Sequence, residues 1–237
     1  MTNQFLGPIV SGDEITTELR RRKSKYVYKT VSGSSKKLIA EKVKLEEADG
    51  WRTVRKNAKS TRMAKAKPLD EQLEDEVWSI LAQMGFKEMS KGRQFTIAVE
   101  DGLPRRQIDV FAKDDETVII VECTRRETRG RKSMDQLIQK IRAIRENLRR
   151  SVLKAYGKQA KLKVKYVIAT KNISWRAVDL AKCKEAQIAV ITDGELDYYV
   201  ALVQHLKHAA RYQFLGHMFE GQKIDGLAVS MCQEIVS

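Results

Sequence analysis

The sequence has few cysteines, no long apolar run and no leader-like beginning, and each shortage excludes a class of protein. Cys123, Cys183 and Cys232 are odd in number and far apart, so they form neither a disulfide framework nor a Cys-x-x-Cys metal site. This cysteine usage is typical of a reducing compartment. No apolar stretch approaches the roughly 20 residues that span a bilayer, and residues 1–4 do not begin a secretory signal. We therefore expect a cytoplasmic protein without a membrane partner.

Histidine is also scarce, and its placement does not favour a metal site. His205 and His208 are three residues apart, and His217 stands alone. No acid or cysteine lies at a spacing that would complete a zinc site with them. The sequence contains no zinc-finger pattern and no recognisable helix-turn-helix, so we assign these histidines no role.

Acidic residues are outnumbered, and the basic excess is concentrated in two stretches. The whole chain carries a net charge of +14. Residues 1–67 hold 17 basic against 7 acidic residues, and residues 125–165 hold 15 against 3. Two such stretches indicate a polyanionic partner, and nucleic acid is the commonest one.

The chain divides into three segments by pattern. Residues 1–67 form a basic N-terminal extension, either a flexible arm or a small subdomain. Residues 68–209 alternate helical and strand patterns, which predicts an α/β fold with a mixed sheet flanked by helices. Residues 210–237 form a separate C-terminal segment.

The predicted elements of the central segment follow apolar periodicity and punctuating residues. Helices are predicted over residues 70–84, 133–153, 175–185 and 196–206. Strands are predicted over residues 95–99, 107–112, 118–123, 164–170 and 188–192, with a turn at 101–104.

Two acids stand in apolar strands that are joined by a short polar turn. If the turn at residues 114–117 is a hairpin, residues whose numbers sum to 231 lie opposite each other. Asp109 and Glu122 meet that condition, which would place their Cβ atoms about 5 Å apart on one face. Such a pair would repel, and a divalent cation such as Mg²⁺ or Mn²⁺ would remove the conflict. The alternative is an acid that lies at the surface at the end of its strand, or one that is satisfied by Arg105, Arg106, Arg125 or Arg126.

These residues carry a resemblance to the PD-(D/E)xK nuclease superfamily, especially its Mrr-like and RecB-like members. Residues 107–110 (Gln-Ile-Asp-Val) resemble the motif aspartate, and residues 121–124 (Val-Glu-Cys-Thr) resemble the E-x-K strand. The helix at 70–84 and the sequence 134–137 (Met-Asp-Gln-Leu) resemble the helices that flank that motif. The resemblance implies a restriction-endonuclease-like fold and phosphodiester hydrolysis.

The resemblance also implies roles for particular residues. Asp109 and Glu122 would hold the metal ion and act in catalysis, and Glu74 on the first helix would be a further ligand, with Asp75 and Glu76 as alternatives. Gln136 is implied as a further catalytic residue.

One departure from the family pattern is the absence of the motif lysine, because Thr124 stands in its place. Lys132, Lys140 and Arg125 are candidates to supply the positive charge. Lys140 shares a helix face with Gln136. The alternative is a degenerate site that binds DNA without cutting it.

The stretch after Glu122 is the candidate nucleic-acid surface. Its basic residues would contact phosphates and give salt-dependent affinity without reading sequence. The predicted nucleic-acid-binding residues are Arg125, Arg126, Arg129, Arg131 and Lys132.

The C-terminal segment carries a second resemblance. Residues 212–216 (Tyr-Gln-Phe-Leu-Gly) and the glycines of 221–227 resemble the entry into a DGQHR domain. This resemblance implies a DNA-modification or phage-defence setting, partner proteins from such a system, and a chain that is a fragment or truncated relative of a longer protein. Together the patterns predict a metal-dependent DNA endonuclease, with homodimerisation as a further expectation.

Overall fold

The computed structural model describes residues 4–98, 105–157 and 162–220. The strands, in chain order, are β1 (Ile9–Ser11), β2 (Tyr26–Ser32), β3 (Arg52–Lys56), β4 (Ser60–Ala66), β5 (Glu88–Ser90), β6 (Thr96–Ile97), β7 (Arg106–Gln107), β8 (Val110–Lys113), β9 (Thr117–Gly130), β10 (Lys163–Ile173) and β11 (Ile188–Ile191). The helices are α1 (Asp13–Lys23), α2 (Lys36–Ala48), α3 (Leu69–Gln83), α4 (Asp135–Tyr156), α5 (Ala177–Glu185), α6 (Asp193–Leu206) and α7 (Ala210–Met218).

A six-stranded mixed sheet forms the centre of the molecule. Its order is β1-β5-β8-β9-β10-β11, with antiparallel pairing from β1 to β9 and parallel pairing from β9 to β11. Helices α3, α6 and α7 pack on one face, and α4 and α5 pack on the other. The predicted α/β fold with a mixed sheet flanked by helices is therefore confirmed.

Strand β9 is an interior strand of this sheet, and apolar residues cover both of its faces. Ile119 and Val121 belong to the core beneath α3, whereas Val118 and Ile120 belong to the core beneath α4. A strand that is buried on both faces reads as a continuous apolar run. Beyond the core the strand continues to Gly130, so the predicted end at residue 123 was wrong; it pairs regularly with β10 as far as Arg125, and after a register shift Gly130 pairs with Ile173.

Helix α3 forms where its periodicity predicts it, within one residue at each end. Its first turn carries Asp70 and Glu71, which the helix dipole favours. It ends at Gln83, and the chain turns away at Gly85, whose φ of 81° few other residues adopt. This helix supplies Glu74 to the candidate site.

The strand predicted over residues 107–112 is broken. Residues 106–107 pair with β6 in a separate two-stranded ribbon, and β8 begins only at Val110. Asp109 therefore lies in the break between two strands, because the chain leaves one sheet and enters another there.

The N-terminal residues also carry regular structure. Strand β1 pairs with β5 at the edge of the main sheet, and α1 packs against α3. Strands β2, β4 and β3 form a separate antiparallel sheet, and α2 packs on it through Val31, Ile39, Val43 and Met63.

None of the helices in the described ranges combines the length and the apolar character that crossing a bilayer requires.

Candidate active site

The hairpin β8–β9 has the register that the sequence predicts. Val110 pairs with Val121 and Lys113 pairs with Val118, so the numbers of paired residues sum to 231. Extended by one residue beyond Val110, the same register sets Asp109 opposite Glu122. The turn is fixed by Asp114, whose carboxylate accepts hydrogen bonds from the amides of Glu116 and Thr117.

Asp109 binds the main chain of the neighbouring strand. Its Oδ2 accepts a hydrogen bond from the amide of Cys123 at 2.7 Å. Strand β8 begins only at the next residue, Val110. The side chain of Asp109, and not a main-chain carbonyl, therefore accepts this hydrogen bond from β9. Burial raises the pKa of Asp109, and the Cys123 amide opposes that effect.

Glu122 is buried without a full set of partners. Its Oε1 is inaccessible to solvent and has no hydrogen-bond partner among the residues that the structure describes. The Nζ of Lys140 lies 3.8 Å from it, which is within ion-pair range but too long for a hydrogen bond. Burial, followed by the charge of Asp109, raises the pKa of Glu122 to about 8, although Arg106 opposes the rise.

Glu74 reaches the same region from α3. Burial and the charge of Asp109 raise the pKa of Glu74 to about 7. Its Oε2 accepts a hydrogen bond from Arg93 at 3.0 Å. Glu74, Asp109 and Glu122 therefore share one electrostatic environment, in which Asp109 disfavours the ionisation of both glutamates and Glu74 disfavours that of Glu122.

The other two acids proposed for the position of Glu74 have different roles. Asp75 is buried and forms ion pairs with Arg22, Lys67 and Arg93 at 2.6–2.9 Å. Glu76 lies 3.6 Å from Lys171. Of the three alternatives, Glu74 is the one whose pKa is raised by Asp109 and whose charge raises the pKa of Glu122. Asp70, in the first turn of the same helix, also raises the pKa of Asp109.

The three carboxylates do not form a ready-made cage. Within the described ranges, no three Asp, Glu, His or Cys side chains are assembled closely enough to enclose a metal ion. Arg93 holds Glu74, and the Cys123 amide holds Asp109. Glu122 Oε1 is buried and accepts no hydrogen bond within the described residues.

Two candidate lysines lie beside this strand end. Lys132 donates a hydrogen bond to the hydroxyl of Thr124, and Thr124 lies two residues after Glu122, on the same side of the strand. Lys140 lies near Glu122 itself. Gln136 is exposed in the first turn of α4.

The basic residues after Glu122 lie on the outer part of β9 and on the connection to α4. Arg125 donates to the carbonyl of Leu69, and Arg126 donates to the carbonyl of Arg131. Arg129 and Arg131 are exposed. The structure thus places Arg125, Arg126 and Arg129 on a strand, because pairing with β10 continues past the core.

Two further arginines lie in this region: the sequence offers Arg106 only as an alternative partner of the acids, and it does not point to Arg93. Arg93 contacts Glu71, Glu74 and Asp75. The charge of Arg106 opposes the rise in the pKa of Glu122. The Nε of Arg106 is buried without a hydrogen-bond partner among the described residues. No local pattern identifies Arg93, since its partners lie about 20 residues earlier on α3.

Comparison with known proteins gives similarities of fold only. No family model matches the sequence, and no curated protein matches it. Among solved structures, the chain is similar to protein VC1899 from Vibrio cholerae, with a TM-score of 0.41 and 18% identity over 84% of this chain and 50% of that one.

It is also similar to Can2 from Sulfobacillus thermosulfidooxidans, solved in complex with cyclic tetra-adenylate, with a TM-score of 0.38 and 11% identity over 81% of this chain and 52% of that one. The chain spans about half the length of each. At these identities and TM-scores neither similarity assigns an activity.

Proposed function

We propose that the chain is a metal-dependent nuclease that hydrolyses phosphodiester bonds in DNA. The observation that carries the proposal is the electrostatic coupling of Glu74, Asp109 and Glu122 at the open end of the β8–β9 hairpin, with raised pKa values at all three and a buried oxygen of Glu122 that has no hydrogen bond among the described residues. Burying mutually repelling carboxylates is costly unless a cation joins them.

Carboxylate oxygens suit a hard divalent cation, and the three side chains would have to shift toward one another to enclose it. Mg²⁺ is commonly held by one or two carboxylates and completes its shell with waters and substrate phosphate oxygens. Asp109 and Glu122 would supply the protein ligands, and Glu74 would be a further ligand if it exchanged Arg93 for the cation. A cation bound there would lower the pKa of water and offset charge on the phosphate.

The remaining polar residues fit supporting roles. Lys140, beside Glu122, would orient the attacking water or contact a phosphate oxygen. Lys132 would place its ammonium beside Thr124, where the resemblance predicts a lysine. Gln136 would contact the substrate from the start of α4. Arg129 and Arg131 would bind phosphates flanking the scissile bond.

Cleavage of supercoiled plasmid with Mg²⁺ or Mn²⁺ tests the proposal. Asp109→Asn and Glu122→Gln should each lower cleavage by at least about 100-fold. Asp115→Asn is the matched control, because this exposed acid lies at the opposite end of the same hairpin and pairs with Lys87. Equal cleavage by all four proteins would assign the activity to another site or a contaminant.

A DNA-binding module without catalysis is the second candidate. Thr124 in the lysine position and the engagement of Glu74 by Arg93 favour it. It predicts salt-sensitive DNA binding, no metal-dependent product, and no Mn²⁺ binding by calorimetry. The nuclease proposal requires Mn²⁺ binding that Glu122→Gln abolishes.

A DNA-modification or defence setting is part of the proposal and rests on the sequence resemblance at the C-terminal end. Residues 212–216 lie in α7. The second half of that resemblance, residues 221–227, lies outside the described residues.

A further inference from the structure

The small sheet β2-β4-β3 has one face covered and one face open. Val31 and Met63 point to the covered face, where they pack with α2. Because side chains alternate along a strand, the intervening residues of β2 and β4 point the other way. Tyr26 and Tyr28 are about half exposed there, at 50% and 48%.

Strand pairing groups the open-face residues into rows. Tyr28, Ala64 and Arg52 form one row across the sheet. Thr30 and Arg62 form the next, and a bulge in β3 brings Arg55 opposite Arg62. The guanidinium of Arg62 lies 4.6 Å from the ring centroid of Tyr28. The open face therefore presents two tyrosines beside three exposed arginines.

Charge is segregated between the two faces. The three strands carry six basic residues and no acid. All four acids of residues 24–67, namely Glu41, Glu46, Glu47 and Asp49, lie on α2 or directly after it.

Three of these acids bind residues on the covered side. Glu46 pairs with Lys29, Asp49 pairs with Lys65, and Glu47 accepts a hydrogen bond from Thr53. Pairing thus neutralises lysines on the helix side, while the arginines of the open face have no acid on their own strands. A positive aromatic surface results.

We propose that the open face of the β2-β4-β3 sheet binds single-stranded nucleic acid. Exposed tyrosine rings stack on unpaired bases, and stacking tolerates any base because every base has a π-face. Arg52, Arg55 and Arg62 contact the phosphates alongside. A duplex hides the faces of its bases, so it would use the arginines but leave the tyrosines without a role.

This surface is distinct from the carboxylate site and does not depend on catalysis there. Its function would be to hold an unpaired strand on the same molecule that carries the site. The binding test is therefore made without divalent cations, where the loss of nuclease activity does not affect the outcome.

The test measures fluorescence anisotropy of the full chain in EDTA with a labelled oligothymidine of about 20 nucleotides, and with a duplex of the same length. Tyr26→Ala with Tyr28→Ala should weaken single-strand binding by at least about tenfold, with duplex binding changed by less than about twofold. Tyr26→Phe with Tyr28→Phe should bind as the unaltered protein does, because the phenyl rings still stack.

The arginines are tested by replacing Arg52, Arg55 and Arg62 together with alanine. The slope of log affinity against log salt should fall by about 2, since each lost phosphate contact contributes roughly 0.7 for a single strand. The matched control replaces Lys36, Lys37 and Lys44 with alanine, which removes the same charge from exposed positions of α2. Tyr212→Ala, on α7, controls for loss of an exposed tyrosine (53% exposed).

Circular dichroism and melting curves of each variant establish that the fold is kept. Single-strand affinities of the tyrosine and arginine variants that match their controls would overturn the proposal. So would a result in which the arginines matter, the tyrosines do not, and the duplex binds more tightly, because that pattern describes a duplex surface.

Discussion

At the scale of the residue, Glu122 combines burial with an incomplete set of partners. Its side chain is 13% exposed, and one of its oxygens forms no hydrogen bond among the described residues. A largely buried carboxylate that lacks hydrogen bonds is more stable when it is protonated. The ionisation of Glu122 is therefore coupled both to protein stability and to binding of a cation.

The first prediction concerns pH. Glu122 has a pKa of about 8 in the folded protein against an ordinary value of 4.5. The folded state therefore holds a proton that the unfolded chain releases between these values, and stability must fall as pH rises through this window. Glu122→Gln should reduce the drop in melting temperature between pH 6 and pH 8 measured in EDTA.

The Asp115→Asn protein should keep the full drop. Mn²⁺ should raise the melting temperature of the unaltered protein more at pH 8 than at pH 6, because binding at low pH must displace protons. An identical pH dependence in Glu122→Gln and the unaltered protein would contradict the assignment of this titration to Glu122.

The second prediction concerns Lys140. Because its Nζ is the ammonium nearest to Glu122 Oε1, Lys140→Ala should lower plasmid cleavage by about 100-fold. Lys87→Ala removes a lysine that pairs with Asp115 in the turn of the hairpin, far from the carboxylates. This variant should leave cleavage unchanged. If Lys140→Ala cuts as well as this control and Lys132→Ala does not, the role belongs to Lys132.

At the scale of the element, the two halves of β9 lie in different surroundings. Its first half is core, and its second half, from Arg125 to Gly130, extends beyond the core and pairs with β10 at its two ends, with a register shift between them. The strand thereby carries basic side chains outward from the carboxylates. A flexible loop in the same place would lose more conformational entropy on binding.

The third prediction concerns this outer half. Arg129→Ala with Arg131→Ala should weaken duplex binding in EDTA and lower the salt slope by about 2, since each phosphate contact on duplex DNA contributes roughly 0.9. Lys36→Ala with Lys37→Ala removes the same charge at a distance and should change the slope less. Equal slopes in the two variants would show that binding follows net charge alone.

At the scale of the whole molecule, Asp75 joins the N-terminal residues to the main body. Its carboxylate binds Arg22 of α1, Lys67 after β4, and Arg93. Lys67 in turn donates to the carbonyls at the end of α1. This buried network holds α1 and the end of β4 against α3, beside the helix position that carries Glu74.

The fourth prediction follows from that network. Asp75→Asn should cost about 3–5 kcal/mol in the free energy of unfolding, because it leaves Arg22 and Lys67 buried with reduced compensation. Urea denaturation measures the cost. Glu76→Gln, which breaks a more exposed pair with Lys171, should cost less than about 1 kcal/mol. Similar costs for both variants would mean that the network contributes little.

The sequence alone determined the elements whose signal is local. Helix α3 follows from its apolar period and from Gly85, and the hairpin register follows from the acidic turn and the apolar strands on either side of it. The juxtaposition of Asp109 with Glu122 needed only that register, because pairing in a hairpin is fixed by its turn.

Only the tertiary structure decided the features that depend on distant parts of the chain. The break before Val110 arises where the chain changes sheets, and the length of β9 arises from pairing with β10, more than 40 residues later. The difference between Glu74 and Asp75 depends on Arg22, Lys67 and Arg93, which reach Asp75 from three separate segments, whereas Glu74 forms an ion pair with Arg93. Local pattern specifies which residues can form an element, whereas partners brought together by folding decide which cations each carboxylate contacts.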